Sequence, residues 1–161
     1  SKLIEEMFGS KEVCIPTSYD TIGKPKAVAW WENLGAAIDA LGVCKFHTVF
    51  FYVFHPPWPD DLAKIFTKIT GVKMDGDTLM KAGERIYNVE RLFNIREGLR
   101  REHDYWCERM YTEPLPDGPY KGEVVDKEKY GKMLSSYYRV RGWNEEGIPT
   151  EEKLRELGLT P

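Results

Sequence analysis

Cysteine is scarce in this chain: Cys14, Cys44 and Cys107 are the only three among 161 residues, and no two of them form a C-x-x-C pair. An odd count without paired spacing makes a disulfide framework an unpromising reading. The same scarcity limits metal chemistry, because a four-iron cluster normally takes four thiolates and this chain cannot supply them. Long hydrophobic runs are missing too. The longest, residues 48–54 with His47 and His55 at its ends, falls far below the ~20 residues that cross a bilayer. No signal peptide opens the chain, so a cytoplasmic location is expected, with no membrane partner. Basic runs are absent and the net charge is -3, so nucleic acid is not an expected partner either.

What is present is the composition of a globular protein with a sizeable core: 42% hydrophobic, 13% aromatic and 30% charged residues. The length suits a single helical domain spanning 1–161. Residues 2–8, ending at Gly9, read as the tail of a helix rather than the start of a domain, which hints that the sequence given begins inside a longer protein. Residues 26–41 carry Val28, Trp31, Leu34, Ala37, Ile38 and Leu41 at helical spacing before Gly42. Residues 45–54 are compatible with a short strand or a buried helix. After Pro56-Pro57-Trp58-Pro59, Asp60 or Asp61 is the expected N-cap of a helix reaching Ile69 and closed by Gly71.

The longest helical pattern runs from Thr78 to Glu97, with Leu79, Ala82, Ile86, Val89, Leu92, Phe93 and Ile95 as its apolar face. Residues 100–110 suggest a further turn or two, and 112–122 a proline- and glycine-rich loop. A helix from Asp126 to about Val140 and a last one over 151–157, capped by Thr150, complete about six helices. The fold class expected is all-α, an irregular orthogonal bundle.

Asp39-Ala40-Leu41-Gly42-Val43-Cys44-Lys45 concentrates chemistry at a helix end. A carboxylate can accept two parallel hydrogen bonds from a guanidine-like N–H edge, and a thiolate is a soft ligand for iron. A plainer reading stands beside it, in which Gly42 caps a helix and Cys44 is a small buried hydrophobe. Arg96 and Glu97 are equally compatible with a surface pair or with a docking wall. Tyr137, Tyr138 and Trp143 read as core. A zinc site built from Cys44, His47, His103 and Cys107 is conceivable, although the tight knuckles of such sites are absent.

Four segments fall in a telling order: Asp39-x-x-Gly42-Val43-Cys44-Lys45-Phe46, then residues 90–98 ending Arg96-Glu97-Gly98, then Tyr137-Tyr138-x-x-Arg141-Gly142-Trp143, then Gly147-x-Pro149-Thr150 leading to Leu154-x-x-Leu157-Gly158-Leu159. Together they resemble the C-terminal helical domain of the aldehyde ferredoxin oxidoreductase family. The resemblance implies a larger enzyme that oxidises aldehydes to carboxylic acids with ferredoxin as electron acceptor. It further implies a tungsten (or molybdenum) ion held by two pterin dithiolenes beside a 4Fe-4S cluster. Carried onto this sequence, Asp39 would bind the pterin edge, Gly42 and Val43 would present backbone, Lys45 would lie in the same cofactor-binding segment, and Cys44 would be the metal ligand to the cluster. Upstream domains of the same protein, ferredoxin and an aldehyde are the implied partners.

The resemblance also implies that the fragment alone is inactive, because the proton-transfer residues of relatives lie upstream; no catalytic residue is assigned here. The chain departs from the family over His103-Asp104-Tyr105-Trp106-Cys107-Glu108-Arg109, where relatives carry an Asp-Asp pair and a proline-containing stretch near the substrate channel. A rival reading is a stand-alone helical interaction module descended from that domain, without metal or catalysis.

Overall fold

The computed structural model describes residues 2–46 and 58–159. The sequence features at His47, 48–54, His55 and 56–57 lie outside them. Within the described residues the protein is all-α, with no strand and one isolated antiparallel bridge between Trp143 and Pro149. Among the described residues seven α-helices follow one another: α1 Lys2–Phe8, α2 Gly23–Ala40, α3 Pro59–Thr70, α4 Gly76–Arg96, α5 Arg109–Thr112, α6 Lys127–Arg141 and α7 Glu151–Glu156. The turn or two expected over 100–110 resolve into a 3-10 turn at Arg101–Asp104 and the single-turn α5. No helix among the described residues is long and apolar enough to cross a membrane.

Two compact units divide the chain, one formed by Ser1–Val28 with Asn94–Thr150, the other by Ala29–Phe93 with Glu151–Pro161. In the first, Asp20 caps α2 by accepting from the N–H groups of Ile22 (2.9 Å), Gly23 (2.9 Å) and Lys24 (3.1 Å). Burial pushes the Asp20 carboxyl upward, but these three donors outweigh it and hold the group below its ordinary value. The helix expected from Asp126 is α6, and Asp126 stands as its N-cap, accepting from Lys129 N–H at 3.0 Å. Tyr138 and Trp143 are buried core, as their pattern suggests. Arg141 is enclosed with them, its guanidinium 5.6 Å from the Tyr137 ring centroid and 5.9 Å from that of Trp143.

The second unit is built on Leu34, Ala37, Ile38, Leu62, Ala63 and Leu79, with Trp30, Leu41, Met74 and Met80 packed against them. Two expectations need correction here. Helix α3 begins behind Trp58 with Pro59 in its first turn, so Asp60 and Asp61 are first-turn residues rather than the cap. Asp60 instead ties α3 to α4, its Oδ1 accepting from Gly76 N–H at 2.9 Å.

The buried face of α4 also differs from the apolar stripe. Gly76, Leu79, Gly83, Asn88 and Arg91 are buried, while Val89 and Phe93 are half exposed. The reason is close approach. A Cβ on Gly83 would stand 2.0 Å from the Asn33 carbonyl oxygen, so the bare backbone at Gly83 lets α4 lie directly on α2, and the neighbouring polar residues are enclosed with it. Tyr87 donates to Glu32 at 2.8 Å across the same contact. On α2, Val28 and Trp31 are exposed while Ala27, Ala29 and Ala37 are buried.

Helix α7 is fastened to α4 by Lys153, which reaches Glu84 at 3.1 Å and Glu156 at 2.8 Å. Desolvation works against the Lys153 charge, yet these two carboxylates more than compensate and raise its pKa.

Candidate functional site

Helix α2 ends at Ala40, and the chain then turns through Gly42 at φ +70°. The Val43 N–H donates to the Ile38 carbonyl at 3.3 Å and the Gly42 N–H to the Asp39 carbonyl at 3.0 Å. This pair of bonds is a Schellman motif, which satisfies helix-end carbonyls and requires a left-handed residue at the position Gly42 fills. The same two-bond closure recurs at Gly98, Gly142 and Gly158. All four segments of the ordered sequence signature therefore contain a glycine-closed helix C-terminus.

At the α2 terminus Asp39, Val43, Cys44, Lys45 and Phe46 are exposed. Cys44 is thus no buried hydrophobe, and it takes part in no disulfide. Among the described residues, nothing lies within 4 Å of a Cβ built on Gly42, so none of them covers the backbone face at the turn. Lys45 Nζ lies 2.5 Å from Asp39 Oδ2. Val43 and Phe46, 37% and 60% exposed, put apolar surface beside the carboxylate and the thiol. The donor set fits a heterocycle with an N–H edge plus a single soft-metal contact.

No three His, Cys, Asp or Glu side chains converge on a metal-binding geometry among the described residues. His103 serves a local turn, its Nδ1 accepting from the Arg100 N–H at 3.0 Å. Arg96 and Glu97 form an exposed pair at 3.0 Å. Such pairs are worth at most about 1 kcal/mol.

In the segment that departs from the family pattern, Asp104 has a structural role. Its carboxylate accepts from the Tyr138 hydroxyl and its carbonyl from the Tyr130 hydroxyl. Arg101 backs this contact, lying 5.0 Å from the Tyr138 ring centroid and donating to Gly131, Ser135 and Glu145. Trp106 stays 57% exposed beside an open hollow of about 500 Å³ that Tyr105, Glu108 and Lys127 also line.

Two features escaped the sequence reading. One is the enclosure of polar residues, Asn88 and Arg91 in the second unit and Arg141 in the first; the other is the Lys45 side chain passing over α2 at Gly35. An isolated glycine inside a helical pattern was the available signal for the second.

These glycine-closed helix ends sit on an all-α scaffold, and one of them presents a carboxylate and a thiol. The family model described as aldehyde ferredoxin oxidoreductase, domains 2 and 3, matches residues 3–159, and the chain belongs to that family.

Among its relatives, the tungsten-containing aldehyde ferredoxin oxidoreductase of Pyrococcus horikoshii is 42% identical over 137 residues, covering 84% of this chain and 21% of the relative. The corresponding protein of Thermococcus kodakarensis is 38% identical over the same shares. A solved structure, the active site complex BamBC of benzoyl coenzyme A reductase with 1,5-dienoyl-CoA, superposes with a TM-score of 0.69 at 31% identity, covering 90% of this chain and 20% of that one. The chain spans about a fifth of the length of these relatives.

Proposed function

We propose that this chain is the cofactor-binding C-terminal part of a tungsten (or molybdenum) pterin oxidoreductase of the aldehyde ferredoxin oxidoreductase type. The observation that carries the reading is the end of α2, where one glycine-closed turn presents Asp39 and Cys44 on an open, partly apolar surface. Asp39 accepts two parallel hydrogen bonds from the pterin edge. Gly42 lets the backbone approach the flat ring, with Val43 beside it, and Cys44 offers its sulfur to one iron of a 4Fe-4S cluster.

Bound here, the metal–pterin group would supply the two-electron oxidation of an aldehyde and water to a carboxylic acid with release of two protons, and ferredoxin would be the electron acceptor. The other cluster thiolates and the proton-transfer groups come from upstream domains of the same cytoplasmic protein. The names of the Pyrococcus and Thermococcus relatives support tungsten and an aldehyde substrate. The matched region of one protein fragment supports a larger whole.

Ferredoxin reduction by an aldehyde, measured with the intact protein, tests the activity. The purified 161-residue chain tests the division of labour. It is expected to be colourless, to retain no iron or tungsten through gel filtration, and to leave ferredoxin oxidised. Stoichiometric iron with iron–sulfur absorption in this chain alone would contradict the assignment of a single cluster ligand to it.

A further inference from the structure

The Lys45 side chain folds back along α2 instead of extending into solvent. A Cβ on Gly35 would stand 3.4 Å from Lys45 Cε and 3.6 Å from its Nζ, ordinary contact distances, so the end of the lysine stem has its seat over α2 at Gly35, one turn ahead of Asp39. From that seat Nζ reaches Asp39 Oδ2 at 2.5 Å. Gly35 has no left-handed φ to explain it, and glycine inside a helix is unfavourable relative to alanine. An alanine methyl there would meet the lysine only at ordinary contact distance, so the seat suits a small residue and is closed by a large one.

We propose that Lys45 is a placeholder cation: it holds and neutralises the Asp39 carboxylate while no cofactor is bound, and yields Oδ2 to the cofactor's N–H edge on docking. This rests on the reading of Asp39 as the pterin acceptor. Two-pronged acceptance engages both carboxylate oxygens, and the ammonium sits on one of them. An ammonium is a compact, rotatable donor without the planar register of a guanidine-like edge. It can therefore keep the carboxylate in place without reproducing the two-pronged geometry.

Relative strengths set the direction of exchange. Both side chains of the ion pair are more than half exposed, and pairs so exposed are weak. Paired charge-assisted hydrogen bonds inside a closed site are stronger, so docking cofactor displaces the lysine.

Three variants test the proposal: Lys45→Met, Gly35→Met and Asp39→Asn. Gly35→Met fills the seat while favouring the helix, so it removes the pair without touching Lys45 itself. In the 161-residue chain, the Asp39 carboxylate ¹³C signal is expected to shift in both Lys45→Met and Gly35→Met. In the intact protein, pterin released on dilution is read by fluorescence after oxidation.

Both of these variants are expected to retain pterin more tightly than the unaltered protein, by up to about fivefold, the ceiling set by an exposed ion pair. Asp39→Asn is expected to lose pterin. Weaker retention in Lys45→Met would overturn the proposal and make the lysine a cofactor ligand. Unchanged retention, with Asp39→Asn still losing pterin, would overturn it and leave the pair incidental. Full retention in Asp39→Asn would overturn the underlying reading of Asp39 as well.

Discussion

Gly83→Ala is expected to destabilise the chain by about 2 kcal/mol or more, while Gly35→Ala is expected to stabilise it by up to about 1 kcal/mol. The substitutions are chemically identical and both sit inside helices. At Gly83 the new methyl would meet the Asn33 carbonyl oxygen at 2.0 Å and its carbon at 2.8 Å. Those are backbone atoms of α2 and cannot swing aside, so α2 and α4 must separate and loosen the packing of Leu34, Ala37 and Leu79.

Overpacking of that kind costs about 3 kcal/mol at the upper end of its usual range, and the better helix propensity of alanine returns about 1 kcal/mol. At Gly35 the methyl meets only the flexible end of Lys45 at ordinary contact distance, so the propensity gain stands alone. Urea denaturation of the two variants checks the pair. Equal effects at both positions would contradict the close helix crossing.

Asp39→Asn is expected to weaken pterin retention in the intact protein by one to two orders of magnitude while leaving folding intact. The amide keeps one acceptor oxygen and puts a donor where the other stood. One charge-assisted hydrogen bond of about 1.5–3 kcal/mol is lost, and two N–H groups are forced to face each other. Stability should change by no more than about 1 kcal/mol, because Asp39 and its partner Lys45 are both exposed. Pterin content after gel filtration, beside a thermal melt, separates these effects. A lowered melt with unchanged pterin would make Asp39 a structural residue.

Helix ends were legible in the sequence because glycine announces them. Gly42, Gly71, Gly98 and Gly142 all end helices near where the pattern places them, and all have positive φ. The candidate site was legible for the same reason, since it is one contiguous turn whose residues need no distant partner to be brought together.

The faces that helices bury were harder to read. Val89 and Phe93 belong to a regular apolar stripe yet stay half exposed, while Asn88 and Arg91 are enclosed. Periodicity registers hydrophobicity, but α4 is positioned by the missing side chain at Gly83, which only the facing Asn33 carbonyl makes meaningful. The N-cap of α3 was misplaced because Pro59 occupies the first turn, a role in which proline's missing N–H costs nothing. The Lys45 stem over Gly35 was invisible for a related reason: what reaches a helix face from further along the chain leaves no mark in that helix's periodicity.

The most direct measurement of the central claim, that this chain lends one thiolate to an iron–sulfur cluster beside a pterin-bound metal, is the iron and tungsten content of the intact protein carrying Cys44→Ser. A hydroxyl is a poor iron ligand, and Cys44 is exposed at the end of α2, so the substitution should leave the fold undisturbed. The account predicts that iron per chain falls well below that of the unaltered protein while much of the tungsten remains. Iron and tungsten both at unaltered levels, with the iron–sulfur absorption unchanged, would contradict it.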